Sequence, residues 1–199
     1  MTESEAIATF QSYLEKQAAV SKQEFERFAS FIHVIQIPKG RILVDPNKER
    51  SQVYFVAKGL LRLFATDSEG KEHMLSFAAE NWWIGDRNNP SLDKPAELFI
   101  DAYEDSVILE LGTRFFEGAS EQSPAFRSFN ERLMLRHMNK LYQRVYSLIG
   151  TNAKQRYEEF LRTYPNLAQR LPQTLIASYL GMTPESLSRI RKEMAQLKN

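Results

Sequence analysis

Between His33 and Leu111 the chain breaks into short runs of β-branched and aromatic residues, each closed by a turn signal. The runs are His33–Ile37, Arg41–Val44, Gln52–Ala57, Leu60–Thr66 and Lys71–Phe77, with Glu97–Ala102 and Ser106–Leu111 following a less regular stretch. Pro38-Lys-Gly40, Gly59 and Asp67-Ser-Glu-Gly70 punctuate them. Short strands at this close spacing predict an antiparallel sandwich or barrel.

Helical periodicity flanks the strands on both sides. Ile7, Phe10, Leu14 and Ala18 recur every three or four residues. Ser21-x-x-Glu24 reads as a capping box for a second short helix carrying Phe25, Phe28 and Phe31 or Ile32. Helical texture returns after Gly112, and beyond Ser123-Pro124 it runs without a break to Gly150. Within that long helix Met134, Met138, Leu141, Val145 and Leu148 are spaced 4, 3, 4, 3, as in a short coiled-coil dimer seam. Phe126, Phe129 and Leu133 form a second stripe suited to packing on the barrel. Gly150 is expected to end the helix as a C-cap. Asn152-x-x-Gln155 then caps another helix reaching about Thr163, where Tyr164-Pro165 stops it. The expected organisation is α+β. An effector domain over 1–122 is an antiparallel β-roll of jelly-roll type with flanking helices, followed by a dimerisation helix over 123–150 and an all-helical domain over 151–199.

Charge divides along the same lines. The whole chain carries a formal net charge of only +1. From Thr151 onward, however, eight Lys/Arg face four Asp/Glu, leaving the preceding part net acidic. The chain has no cysteine, so disulfides, iron–sulfur clusters, thiolate zinc sites and cysteine nucleophiles are excluded. No apolar run approaches the roughly 18 residues of a membrane span, and the acidic N-terminus leads into no signal-type core. A cytoplasmic protein is expected.

The segment from Leu171 to Glu193 reads as two short helices around a tight turn. Ile176, Ala177 and Leu180 form the inner face of the first, Ala177 being small where two helices cross closely. Gly181 supplies the positive φ of the turn. Thr183 caps the second helix, Pro184 takes its first position, and Leu187 and Ile190 face inward. Glu185, Ser186, Ser188, Arg189 and Lys192 are left pointing outward and join Thr183 at the helix start as the DNA-contact candidates, a set suited to base edges and phosphates. Gln173 and Thr174, at the start of the first helix, are placed to meet a phosphate through backbone amides. A helix–turn–helix that binds double-stranded DNA is the expected reading.

Ile176-Ala-Ser-Tyr-Leu-Gly-Met-Thr-Pro-Glu-Ser-Leu-Ser-Arg-Ile-Arg191 resembles the helix–turn–helix of the CRP/FNR family of bacterial transcription regulators. Tyr54-Phe-Val-x-x-Gly59, Arg62, the Gly70 turn, Ile84-Gly-Asp86 and Ala102-Tyr-Glu-Asp-Ser106 are similar, in order, to that family's effector barrel. The resemblance covers nearly the whole chain. It implies a cyclic-nucleotide-binding-type β-roll, a long dimer helix and a C-terminal reader. It further implies a homodimer on a pseudo-palindromic operator, with RNA polymerase as a further partner. Family members that bind cyclic nucleotides hold the phosphate with a Gly-Glu pair and an Arg-Ser/Thr pair. Here Gly85-Asp86 stands at the first pair and Ala96-Glu97 at the second, so a phosphate would meet Glu97 in place of a cation. Cyclic AMP is therefore not the expected effector; another small molecule, or none, is. Trp83, Gly85, Asp86, Arg87, Ala96 and Glu97 are the effector-pocket candidates. The family usually continues into a β-hairpin wing beyond the recognition helix, so the reader is expected to be a shortened one.

Two other classes compare poorly. A cupin-like metalloenzyme needs clustered His and carboxylate ligands on neighbouring strands, whereas His33, His73 and His137 are scattered. No enzyme, metal or cofactor is expected. A ligand-sensing or protein-interaction dimer that does not bind DNA is the alternative, distinguished by the salt dependence of duplex binding.

Overall fold

The computed structural model describes residues 1–45, 53–85 and 98–196. They form two compact units, Met1–Met134 and Leu135–Asn199, divided within one long helix.

In the first unit both N-terminal helices begin with reciprocal caps. Thr2 and Glu5 close α1 (Glu3–Ala18), and Ser21 and Glu24 close α2 (Lys22–Phe28). Each box satisfies amide donors that a helix start leaves without intrahelical partners. The strands follow in chain order: β1 (His33–Ile37), β2 (Ile42–Val44), β3 (Val53–Lys58), β4 (Leu61–Thr66), β5 (Glu72–Ala78), β6 (Trp83–Gly85), β7 (Leu98–Ala102) and β8 (Ser106–Leu111). The short β6 lies in the stretch that looked irregular in sequence. Its three residues are too few to show alternation, and pairing with β3 makes it a strand. Among the described residues the strands form two four-stranded antiparallel sheets, ordered β1-β8-β3-β6 and β2-β7-β4-β5.

Two apolar clusters sit on opposite faces of the first sheet. Tyr54, Val56, Ile84 and Ile108 point toward Leu61, Ile100 and Ala102 of the second sheet. Phe55, Ala57, Val107 and Leu109 point the other way, onto Phe10, Leu14, Phe25, Phe28, Phe115, Phe126 and Phe129 of the helices. Burial on both faces explains why β3 reads as an unbroken apolar run rather than an alternating one. Gly59, just after β3, has φ +99°, and a Cβ there would run into the Ser106 side chain and the Asp105 carbonyl. Only glycine fits that approach.

α3 (Thr113–Gln122) and α4 (Pro124–Gly150) complete the helical layer. Phe126 and Phe129 are buried and Leu133 packs beside them, so the second stripe of α4 does cover the first sheet. Gly150 does not end α4 in the left-handed conformation expected of it. Its φ is not positive, and it stays helical. A Cβ at Gly150 would lie 2.8 Å from the Tyr146 ring, so the missing side chain makes room rather than handedness.

Candidate nucleic-acid interface

The second unit places four short helices beyond α4: α5 (Ala153–Thr163), α6 (Leu167–Arg170), α7 (Gln173–Tyr179) and α8 (Pro184–Gln196). The Asn152–Gln155 box closes α5 as its spacing predicts. The single turn α6 carried no periodic signal of its own. Tyr157, Phe160, Leu167, Leu171, Ile176, Ala177, Leu180, Leu187 and Ile190 are buried, and α8 packs on both α7 and α5. Ala177 is wholly buried.

The turn is built as the sequence requires. Gly181 has φ +63°, with its amide donating to the Ser178 carbonyl at 3.1 Å and the Met182 amide to Ala177 at 3.0 Å. Thr183 Oγ1 accepts the Ser186 amide at 3.2 Å and caps α8. The same hydroxyl donates to Ser186 Oγ, so half-buried Ser186 leans on the cap and does not share the outermost face.

Glu185, Ser188, Arg189 and Lys192 are exposed and recur at three- and four-residue spacing along one side of α8, opposite Leu187 and Ile190. Gln196 extends that face by another turn and is also exposed; its place four residues beyond Lys192 was the signal for it. The Glu185 backbone amide and then the Thr183 hydroxyl hold the Glu185 carboxyl below its ordinary range. An ionised carboxylate in the first turn of α8, beside two cations, forms a mixed acceptor and donor surface suited to base edges. Gln173 and Thr174 are exposed in the first turn of α7.

Sequence reasoning missed the support behind this face. Arg144 of α4 lies 4.0 Å over the Tyr179 ring, and Tyr179 packs edge to face with Tyr164 and tilted against Phe160. Burial first, and Tyr179 alongside, push the Tyr164 hydroxyl well above its ordinary value.

The seam side chains Met134, Met138, Leu141, Val145 and Leu148 are exposed in the single chain, together with Leu135, Tyr142, Tyr146 and Ile149. Contiguous apolar surface of this kind marks an interaction face.

The effector-pocket candidates fare differently. Trp83 does not face the space between the sheets. It packs 5.5 Å from both Phe10 and Phe55, and its Nε1 donates to Tyr13 Oη at 3.0 Å. Its neighbour Trp82 packs instead against the inner cluster. The strand alternation of β6 decides which tryptophan faces inward. Gly85 ends β6 opposite Val53. Asp86, Arg87, Ala96 and Glu97 lie outside the described residues.

Residues 34–123 match the family model of the cyclic nucleotide-binding domain. The cAMP-activated global transcriptional regulator CRP of Salmonella typhimurium is 21% identical over 177 residues, covering 84% of this chain and 84% of that protein. A mutant of CooA from Carboxydothermus hydrogenoformans has a similar structure, with a TM-score of 0.69 and 23% identity over 84% of this chain and 78% of its own. FixK2 from Bradyrhizobium japonicum also gives a TM-score of 0.69, at 17% identity over 84% of this chain and 86% of its own. Residues 34–123 are thus a cyclic nucleotide-binding-type domain, and the chain has the fold of CRP/FNR regulators. That fold, antiparallel sheets followed by a long helix and several shorter ones, is the α+β class expected from the sequence. Among the described residues no helix is long and apolar enough to cross a membrane.

Proposed function

We propose that this chain is a homodimeric, sequence-specific DNA-binding transcription regulator of the CRP/FNR type, and not an enzyme. Two copies pair through the apolar strip of α4. Their α8 helices then enter successive major grooves of a pseudo-palindrome about 34 Å apart. Arg189 makes a bidentate contact to a guanine, and Glu185 accepts from a cytosine amino group. Ser188 and Lys192 serve edges or phosphates, while Gln173 and Thr174 approach the backbone. Ser186 acts through the cap. The barrel responds to a small effector other than cAMP, or to none. The protein works in the bacterial cytoplasm, with RNA polymerase as a downstream partner.

The observation that carries this reading is the exposed face of α8, held outward by a capped, glycine-turned helix pair. Selection of duplexes from a random pool by the full chain tests it. A palindromic consensus is expected, bound with an affinity that falls steeply with salt. No enrichment, in a protein that is dimeric by sedimentation, would overturn it in favour of a sensing or interaction dimer without DNA.

A further inference from the structure

Three successive residues at the end of α7 and the start of the turn are each held by groups from the α4–α5 corner. Tyr179 lies under the Arg144 guanidinium at 4.0 Å. The Leu180 carbonyl accepts Arg156 Nε at 2.9 Å, and Arg156 Nη1 also donates to the Thr151 carbonyl. Gly181 faces Leu148 so closely that a Cβ there would lie 2.9 Å from Leu148 Cδ2. Arg144 and Leu148 are four residues apart and so share one side of α4, a turn from each other. The joint after α4 is itself braced, since helix continues through Gly150 and Thr151 Oγ1 donates to the Ser147 carbonyl at 2.7 Å.

We propose that Arg144 and Leu148 are positioning residues for DNA recognition. They clamp the corner of the helix–turn–helix, at Tyr179 and Gly181, to residues 135–150 of α4, so that reader and distal helix move as one body. The consequence for DNA recognition rests on the function proposed above; the clamp itself does not. Two contacts one turn apart remove a rotational freedom that a single contact would leave. Pairing of two α4 helices then sets the separation of two α8 helices without a flexible link between. Leu148 consequently does double duty, at the edge of the apolar strip and against the turn. This gives the glycine at 181 a second reason beyond its positive φ: it leaves room for Leu148.

The chain has no cysteine, so Gln143→Cys on α4 and Glu193→Cys on α8 accept a pair of spin labels. Labelled full-length chain is diluted with unlabelled chain so that distances within one chain are read. The parent is expected to give one narrow distance peak. Arg144→Met and Leu148→Ala should broaden it about twofold or more while Tm shows the chain still folded, and Arg144→Lys, which keeps a cation over the ring, should restore it. Tyr179→Leu serves as the second probe should Leu148→Ala unfold the unit. An unchanged peak in Arg144→Met and Tyr179→Leu overturns the clamp. On selected operators, shifting the half-site spacing by one base pair should penalise Arg144→Met about 10-fold less than the parent; an equal penalty overturns the role in recognition. Failure of the parent to bind any duplex would remove the proposed function, while the distance measurement still decides the clamp.

Discussion

Ser123 Oγ donates to Glu24 Oε1 at 2.7 Å, joining the first turn of α2 to the residue before α4. The same hydroxyl accepts the Phe126 amide at 3.1 Å, so Ser123 caps α4 while tying its start to the N-terminal helices. Glu24 serves two partners at once, because its other oxygen accepts the Ser21 amide and hydroxyl. A wholly buried serine is tolerated here because its hydrogen-bonding capacity is used.

That relationship makes stability depend on acid. The Ser21 hydroxyl and amide, and then the Ser123 hydroxyl, hold the Glu24 carboxyl below its ordinary value of 4.5. A depressed value in the folded chain means the contribution is complete above 4.5 and is lost as pH falls through the lower folded value. Urea midpoints of the parent and Glu24→Gln should differ by a constant amount at neutral pH and converge in acid. Parallel curves down to about pH 3 would contradict this account.

Arg62 and Asp101 are paired across β4 and β7, with Arg62 Nε and Nη2 each 2.7 Å from a carboxylate oxygen. Glu72 takes a third bond from Nη1 at 2.8 Å. Because Asp101 is buried, Arg62→Met should cost about 3 kcal/mol by leaving a carboxylate without its partner. The double change Arg62→Met with Asp101→Leu should recover much of that loss. Denaturant titration of the three proteins measures it.

Gly59→Ala should destabilise the barrel by about 3 kcal/mol, since it combines an unfavourable φ with a collision at Ser106. Gly70→Ala provides the contrast. Its φ of +78° is also positive, but a Cβ there meets nothing within 4 Å. The difference in Tm between the two variants isolates the collision.

Leu141→Lys with Val145→Lys places charges in the middle of the apolar strip and should yield a folded monomer by sedimentation equilibrium. Loss of the second half-site should lower operator affinity about 100-fold or more, because the link between two readers supplies effective concentration. A dimer of unchanged strength would move the pairing surface elsewhere.

On a selected operator, Arg189→Ala should cost about 1–3 kcal/mol and relax preference at one base pair of each half-site. Lys192→Ala should instead weaken all duplexes alike and reduce the salt slope by about 1 per chain. Titrations at several salt concentrations separate the two outcomes. A wild-type affinity for Arg189→Ala at fixed salt would remove that residue from base contact.

Much of this molecule was legible in one dimension because its signals are local. Thr183, Gly181 and Asn152 act on backbone groups within a few residues, so a cap or a positive φ is determined where it stands. Strand runs between turn residues, and the apolar spacing of α4, are local in the same sense. Tertiary structure alone decided the rest. Which of Trp82 and Trp83 faces the inner cluster depends on pairing between β6 and β3, strands well apart in sequence. Ser123 finds Glu24, and Arg144 finds Tyr179, across long stretches of chain. The charge balance also changed meaning: Met1–Met134 holds 15 Lys/Arg against 21 Asp/Glu, and Leu135–Asn199 holds 11 against 4. The sequence alone determined that the end of the chain is basic. Only packing showed that the basic unit begins inside α4, because the distal helix is held to the reader by side-chain contacts that no local pattern specifies.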